Sequence, residues 1–198
     1  MKNKWKWIYN PFEFIAGWKA FGIGVVILCI TTIIGYFGNF VFYVLNINTV
    51  SDVTLGMAFV VQTLSLIVMV ALMYVAALFF AKHVRFQDIL GTVTLAKYPL
   101  LIAALLLLVF NKPMMSFIKS IDLNKIMNNE FIISDYTSFY LVSLFGLIAL
   151  IVMIWEIALI YNAFRVSTNF KGTKCALLFV AILLVSEFLV HIFVSIIY

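Results

Sequence analysis

The sequence predicts an all-α integral membrane bundle of five transmembrane helices with short interfacial helices, and three observations carry that prediction. Of 198 residues, 66% are hydrophobic and only 11% charged, with a mean hydropathy of +1.17, too little charge to cover a soluble globule of this size. The apolar residues fall into five long runs, each suited to about 30 Å of hydrocarbon at about 1.5 Å per residue. Lys and Arg mark the ends of these runs, and none shows the period-two alternation of a barrel strand. The expected organisation is an N-terminal cytoplasmic interfacial segment, 1–19, followed by a five-helix transmembrane domain, 20–198.

The opening stretch MKNKWKWIYNPFEFIAGWKAF mixes Lys2, Lys4, Lys6 and Lys19 with Trp5, Trp7, Trp18 and Tyr9. Indoles and lysines favour the headgroup layer, where an apolar body and a polar tip are both satisfied. Asn10, Pro11 and Glu13 fit an N-cap, a first-turn proline and an acidic third position, predicting a short helix lying on the membrane. The apolar run begins too late, is too long and lacks the small-residue site expected of a cleaved signal peptide.

The first span is expected over Ala20–Leu45, with Thr31, Gly35 and Gly38 forming a small-residue face against another helix. After NINTVSDVT the second span is expected over Leu55–Ala81, with Gly56, Thr63 and Ala77 on one heptad line. Gln62 is its one strongly polar interior residue and is expected to bond a neighbouring helix. A basic turn, KHVRFQDILG, leads into the third span, where Pro99 either kinks a long helix starting near Ile89 or opens a shorter one near Tyr98. The long kinked form is favoured, which places Lys97 inside the span. Beyond it, Met114, Phe117, Ile118 and Ile121 follow Pro113 near helical spacing, predicting a short amphipathic surface helix that lids the bundle. The fourth span is expected over Tyr136–Phe164 and the fifth over Cys175–Tyr198.

Orientation follows from charge on alternate sides. Lys2, Lys4, Lys6, Lys19, Lys82, Arg85, Lys97, Arg165, Lys171 and Lys174 lie on one side, against Lys112, Lys119 and Lys125 on the other. That imbalance predicts a cytoplasmic N-terminus and an outside C-terminus in the cell (inner) membrane. The formal charge of +5 is thus explained by topology, and no recognition motif accompanies it to suggest nucleic acid. Cys29 and Cys175 provide neither a disulfide framework nor a metal spacing. H-E-x-x-H, G-x-S-x-G, the P-loop and C-x-x-C are all absent, and Gly22 and Gly24 make a G-x-G with no third glycine. No enzyme, cofactor or metal site is expected.

What remains is an intramembrane polar set: Lys97, Glu156, Glu187 and His191. Each is costly in lipid, roughly 2.5–3.5 kcal/mol for a charge at a helix centre on insertion scales, so each is expected to face protein or a wet cavity. Glu187, His191 and Ser195 repeat every four residues and form one stripe on the fifth helix. Lys97 and Glu156 lie at matching depths, about 12 Å from the cytoplasmic ends of their helices, and are expected to pair. Glu187, about 18 Å in, is the poorer match for Lys97.

Two stretches carry a resemblance to a known family. RFQDILGTVTLAKYPLLIAALLLL sets a proline at the opening of a third hydrophobic stretch after a basic turn. WEIALIYNAFRVSTNFKGTKCALLFVAILLV sets a tryptophan late in the fourth span, then a short polar turn with Lys174, then the fifth span. With the NPFEF start, this resembles the YIP1-like membrane proteins over most of the chain, in a short prokaryotic-type form. The resemblance implies five transmembrane helices with a cytoplasmic N-terminus. Eukaryotic relatives contact small GTPases through a longer N-terminal region with an acidic DLYGP-type motif, which this sequence lacks. The expected function is that of a non-enzymatic, membrane-organising or partner-binding protein, its partners being the lipid bilayer and a membrane protein. The alternative is a small proton- or cation-coupled transporter or channel using Glu156 and Glu187.

Overall fold

A computed structural model describes residues 6–49, 54–80, 84–120 and 136–197. Lys2, Lys4, Trp5, Lys82, His83 and the expected lid region 121–135 lie outside the described residues. Among the described residues, five stretches are long and apolar enough to cross a membrane: Gly17–Phe37, Leu55–Phe80, Phe86–Met114, Tyr136–Thr168 and Thr173–Ile196. They correspond to helices α2 (Gly17–Phe37), α3 (Leu55–Phe80), a broken pair α4 (Phe86–Ala96) and α5 (Pro99–Ser120), α6 (Tyr136–Thr168) and α7 (Thr173–Ile197). The chain is an all-α, multi-pass membrane bundle.

Before α2 come a single turn, α1 (Lys6–Tyr9), and a 3-10 turn at Pro11–Glu13 that Pro11 opens. A fixed φ suits proline to this first position. Asn10 does not cap a backbone N–H; its Nδ2 donates to Glu13 Oε1 at 2.9 Å. The last carbonyls of α1 are satisfied by the bundle instead. Ile8 O accepts from Tyr98 Oη at 2.6 Å and Trp155 Nε1 at 3.0 Å, and Tyr9 O accepts from Asn162 Nδ2 at 2.8 Å. With Phe12 fully buried, the interfacial segment is docked on protein as well as suited to headgroups.

The expected first span, Ala20–Leu45, overruns the end of the helix by eight residues and misses its first three. Helix α2 stops at Phe37, Gly38 caps it, and Asn39 turns the chain with φ 62°, a left-handed conformation that Asn tolerates better than most residues. The aromatic and β-branched run that follows favours strand. It forms β1 (Phe40–Phe42), paired antiparallel with β2 (Ile47–Thr49), with Phe40 opposite Thr49 and Phe42 opposite Ile47. Phe40, Val41, Phe42, Tyr43 and Val44 are all buried, so this hairpin folds back into the bundle. The small-residue face of α2 receives it: a Cβ on Gly35 would lie 2.5 Å from the Phe42 ring. The neighbour expected at that face was a helix, and it is this hairpin.

The third span is long but broken rather than kinked. Pro99 supplies no N–H and crowds the residue before it. The backbone tightens there into i→i+3 bonds: Tyr98 N–H donates to Leu95 O at 3.1 Å, Leu100 N–H to Lys97 O at 3.0 Å. Lys97 sits in the break at φ −77°, ψ 0°. This is the most enclosed of the five spans, 56% buried against 22–44% for the others, which makes it the axis of the bundle. Helices α2, α3 and α6 pack on α4, α5 lies against α2 and α6, and α3 pairs with α7. Past Pro113 the helix continues to Ser120, so Met114 and Phe117 do not begin a separate surface helix. Met114 packs against the buried cluster that contains Leu100, Ala104 and Leu107, and the Phe117 ring lies 5.8 Å from Phe139 of α6.

Helices α2 and α4 approach each other closely at their glycines. A Cβ on Gly24 would lie 2.7 Å from Leu95 N, and one on Gly91 would collide with the Gly17 carbonyl, whereas one on Gly22 meets nothing. Backbones that approach this closely forbid side chains at the contact. Gly91→Ala is therefore expected to destabilise the bundle by about 1–3 kcal/mol, the usual cost of overpacking, while Gly22→Ala leaves it unchanged; thermal unfolding in detergent, monitored by far-UV circular dichroism, measures both.

Candidate functional site

Backbone that is neither helix nor closed sheet leaves polar groups without partners, and at membrane depth such backbone survives only where protein supplies them. The hairpin turn Tyr43–Asn46 poses this problem directly. Tyr43 N–H donates to Asn46 O at 2.8 Å and closes the turn. The peptide between Val44 and Leu45, at the tip, has no partner within the hairpin. Its carbonyl accepts from Lys97 Nζ at 2.7 Å and its N–H donates to Glu187 Oε2 at 3.0 Å. One peptide plane is thus held by a cation at its oxygen and an anion at its hydrogen, each matched to the dipole it faces.

The clamp extends outward on both sides. Lys97 Nζ also donates to Glu156 Oε1 at 3.0 Å, and the two side chains are 1% and 3% exposed. His191 Nε2 lies 3.3 Å from Glu187 Oε1, and the His191 ring stacks on Tyr43 at 4.9 Å between centroids. A single chain of contacts therefore runs from Glu156 through Lys97, the tip peptide and Glu187 to His191, and returns to the hairpin at Tyr43.

The elements place these groups at one level. Lys97 lies eleven residues past the start of α4, Glu156 twelve before the end of α6 and Glu187 fourteen past the start of α7, depths of about 16, 18 and 21 Å. The helix break lets the Lys97 stem leave the helix toward the hairpin, and Lys97 and Glu156 are both buried away from water. The expected Lys97–Glu156 pair is present. Glu187 does not bond Lys97 directly and meets it through the peptide. His191 is the outermost member, its side chain 46% exposed against 21% for Glu187. The third residue of the stripe, Ser195, returns its hydroxyl to Ile192 O of its own helix.

Gln62 departs from expectation. It is 4% exposed, and neither amide atom has a partner among the described residues. No interhelical bond forms; the residue lines an apolar cavity of about 220 Å³ between α2 and α3, with Phe21, Leu28, Cys29 and Phe59. A second cavity, of about 290 Å³, is polar and lies between the N-terminal segment and the end of α6.

What sequence reading missed is the hairpin, and with it the Val44–Leu45 peptide and Tyr43. The signal is present in NFVFYVLNINT, where aromatic and β-branched residues are bracketed by asparagines, as in a strand, turn and strand. Comparison with protein-family models, with curated proteins and with solved structures finds no match for this chain.

If the pair is as buried as the geometry indicates, removing one charge strands the other. Glu156→Gln is expected to destabilise by about 3–5 kcal/mol, whereas Lys97→Met combined with Glu156→Gln costs less because no charge is left alone. Folded yield after detergent extraction, read by size-exclusion chromatography, tests this ordering; equal loss in the single and the double variant would refute it.

Proposed function

We propose that this chain is a non-enzymatic multi-pass membrane protein of YIP1-like type, acting by organising the membrane or binding a membrane-protein partner. One observation carries the reading: the intramembrane charges bond one another and the hairpin tip. A transport site needs ligand-binding groups that exchange partners, and Lys97 and Glu156 sit where neither cavity described above reaches them. The resemblance supports the same reading through Trp155 and Tyr98, which flank the pair. Their rings meet edge to face at 5.2 Å, joining the late tryptophan of one stretch to the proline break of the other.

The partial exposure of His191 and Glu187 favours one alternative, a proton or cation path that enters beside α7. Reconstitution decides between them. In liposomes loaded with a pH-sensitive dye and held under a potassium-diffusion potential, the protein is expected to give proton flux no greater than protein-free liposomes, with Glu187→Gln indistinguishable from wild type. Flux that Glu187→Gln abolishes would establish the transporter.

The proposed topology places the N-terminus in the cytoplasm and the C-terminus outside, in the cell membrane. Single cysteines in a background lacking Cys29 and Cys175 test it with a membrane-impermeant maleimide. Positions 52 and 122 are expected to label from outside and positions 85 and 171 not; outside labelling at 171 would overturn the orientation.

A further inference from the structure

Lipid covers apolar side chains without cost, so the surface positions of a membrane bundle that call for a partner are the polar ones. Such positions meet beside the hairpin tip. Asn46 is exposed, and the His191 side chain is 46% exposed. Asn46 follows Leu45, whose N–H is bonded to Glu187, and pairs across the turn with Tyr43, on which the His191 ring stacks. Glu187 has fourteen residues of α7 before it and ten after it, so this polar patch lies within the span.

Each of the two side chains has one capacity unmet. Asn46 Oδ1 accepts from Ile47 N–H at 2.8 Å, which fixes the amide orientation and leaves Nδ2 to donate. That nitrogen has no acceptor among the described residues. His191 Nε2 faces the Glu187 carboxylate at 3.3 Å, so in the neutral ring it carries the proton and Nδ1 is an acceptor. Among the described residues Nδ1 has no donor. A donor without an acceptor and an acceptor without a donor thus lie at one level, on two elements that already touch. Each is held by its existing contacts, and they do not bond each other within the chain.

The outward face of α7 supplies the rest of a contact surface. Leu177, Ala181, Leu184, Phe188, His191 and Ser195 are all exposed and recur at spacings of four and three, the seam of a left-handed helix pair. We propose that this face binds a second copy of the chain in a parallel two-fold pair, with Asn46 Nδ2 of each copy donating to His191 Nδ1 of the other. A two-fold axis along the membrane normal keeps every residue at its own depth and makes each contact twice. An unmet donor and an unmet acceptor at one level are what such an interface joins. A different membrane protein would have to bring a matching pair at that depth, whereas a second copy carries it. The charge of Glu187 is already held by Leu45 N–H and His191, so no opposite charge is required of the partner. A second copy is one form of the membrane-protein partner proposed above, and the pairing rests on that reading.

Single-molecule photobleaching of the full chain in liposomes, over a series of protein-to-lipid ratios, tests the pairing. One dye is carried by a cysteine at position 171 in a background lacking Cys29 and Cys175. Two-step bleaching is expected at high ratio, passing reversibly to one step on lipid dilution. Asn46→Leu is expected to weaken the pair about tenfold, because one substitution removes both symmetry-related bonds. His191→Phe, which keeps a ring against Tyr43, is expected to weaken it as much, and the two together no further, since both remove the same bonds. Oxidative cross-linking in the membrane is expected to join Phe188→Cys chains and not Val60→Cys chains, Val60 being 48% exposed on α3. One-step bleaching of the otherwise unaltered chain at every ratio would overturn the proposal, a result that holds whether or not a variant folds. Unchanged pairing in folded Asn46→Leu, or equal cross-linking at position 60, would overturn it too. A monomeric chain that gives no proton flux would sink the pair and leave the non-transporter reading standing.

Discussion

A peptide group placed in the middle of a bilayer must find a donor and an acceptor or forfeit several kilocalories per mole, and the Val44–Leu45 peptide finds both in charged side chains. The rest of the structure is arranged around that requirement. From Asn39 the extended chain advances at about 3.3 Å per residue, enough for the tip to reach the level of Lys97, Glu156 and Glu187. Helix, normally the one solution for open backbone in lipid, is given up over this segment because the bundle supplies the missing partners. The charges in turn are tolerable because they face a fixed dipole and one another instead of hydrocarbon.

This reciprocity explains features that otherwise look unrelated. The break at Pro99 frees Lys97 from the helical ladder and lets its stem turn toward the hairpin. Gly35 leaves room for Phe42, while Gly24 and Gly91 bring α2 against α4, so that the hairpin leaves α2 close to the axis. Tyr43 anchors the turn from the α7 side by stacking on His191. Next to the buried pair, Tyr98 and Trp155, the neighbours of Lys97 and Glu156, donate to the same Ile8 carbonyl. The interfacial segment and the buried pair therefore rest on adjacent residues of the same two helices, which couples the docking of residues 6–13 to the integrity of the clamp.

The spans were legible because composition and run length alone distinguish a lipid-buried helix, and the Lys97–Glu156 pair because depth can be counted from the helix ends. The hairpin was not legible for a physical reason. In a chain this apolar, a fully buried strand and a transmembrane helix share the same hydrophobicity, and only the asparagines at 39, 46 and 48 separate them. Glu187 could be recognised as costly but not assigned a partner, since that partner is a backbone N–H whose exposure depends on the turn. Gln62 was misread because its helix face could not be paired with a neighbour from sequence; the side it occupies borders a cavity rather than a polar group.

The central claim is that the hairpin tip is held at mid-bilayer depth by charges from two helices, and backbone exchange at that peptide reads it most directly. Hydrogen–deuterium exchange of the segment 43–46 in lipid nanodiscs, followed by mass spectrometry with residue-level fragmentation, isolates the Leu45 amide. The account predicts protection of Leu45 comparable to the interior of α4, and a large loss of that protection in Glu187→Ala with α4 itself unchanged. Exchange of Leu45 in the wild-type protein at the rate of an open loop would contradict it.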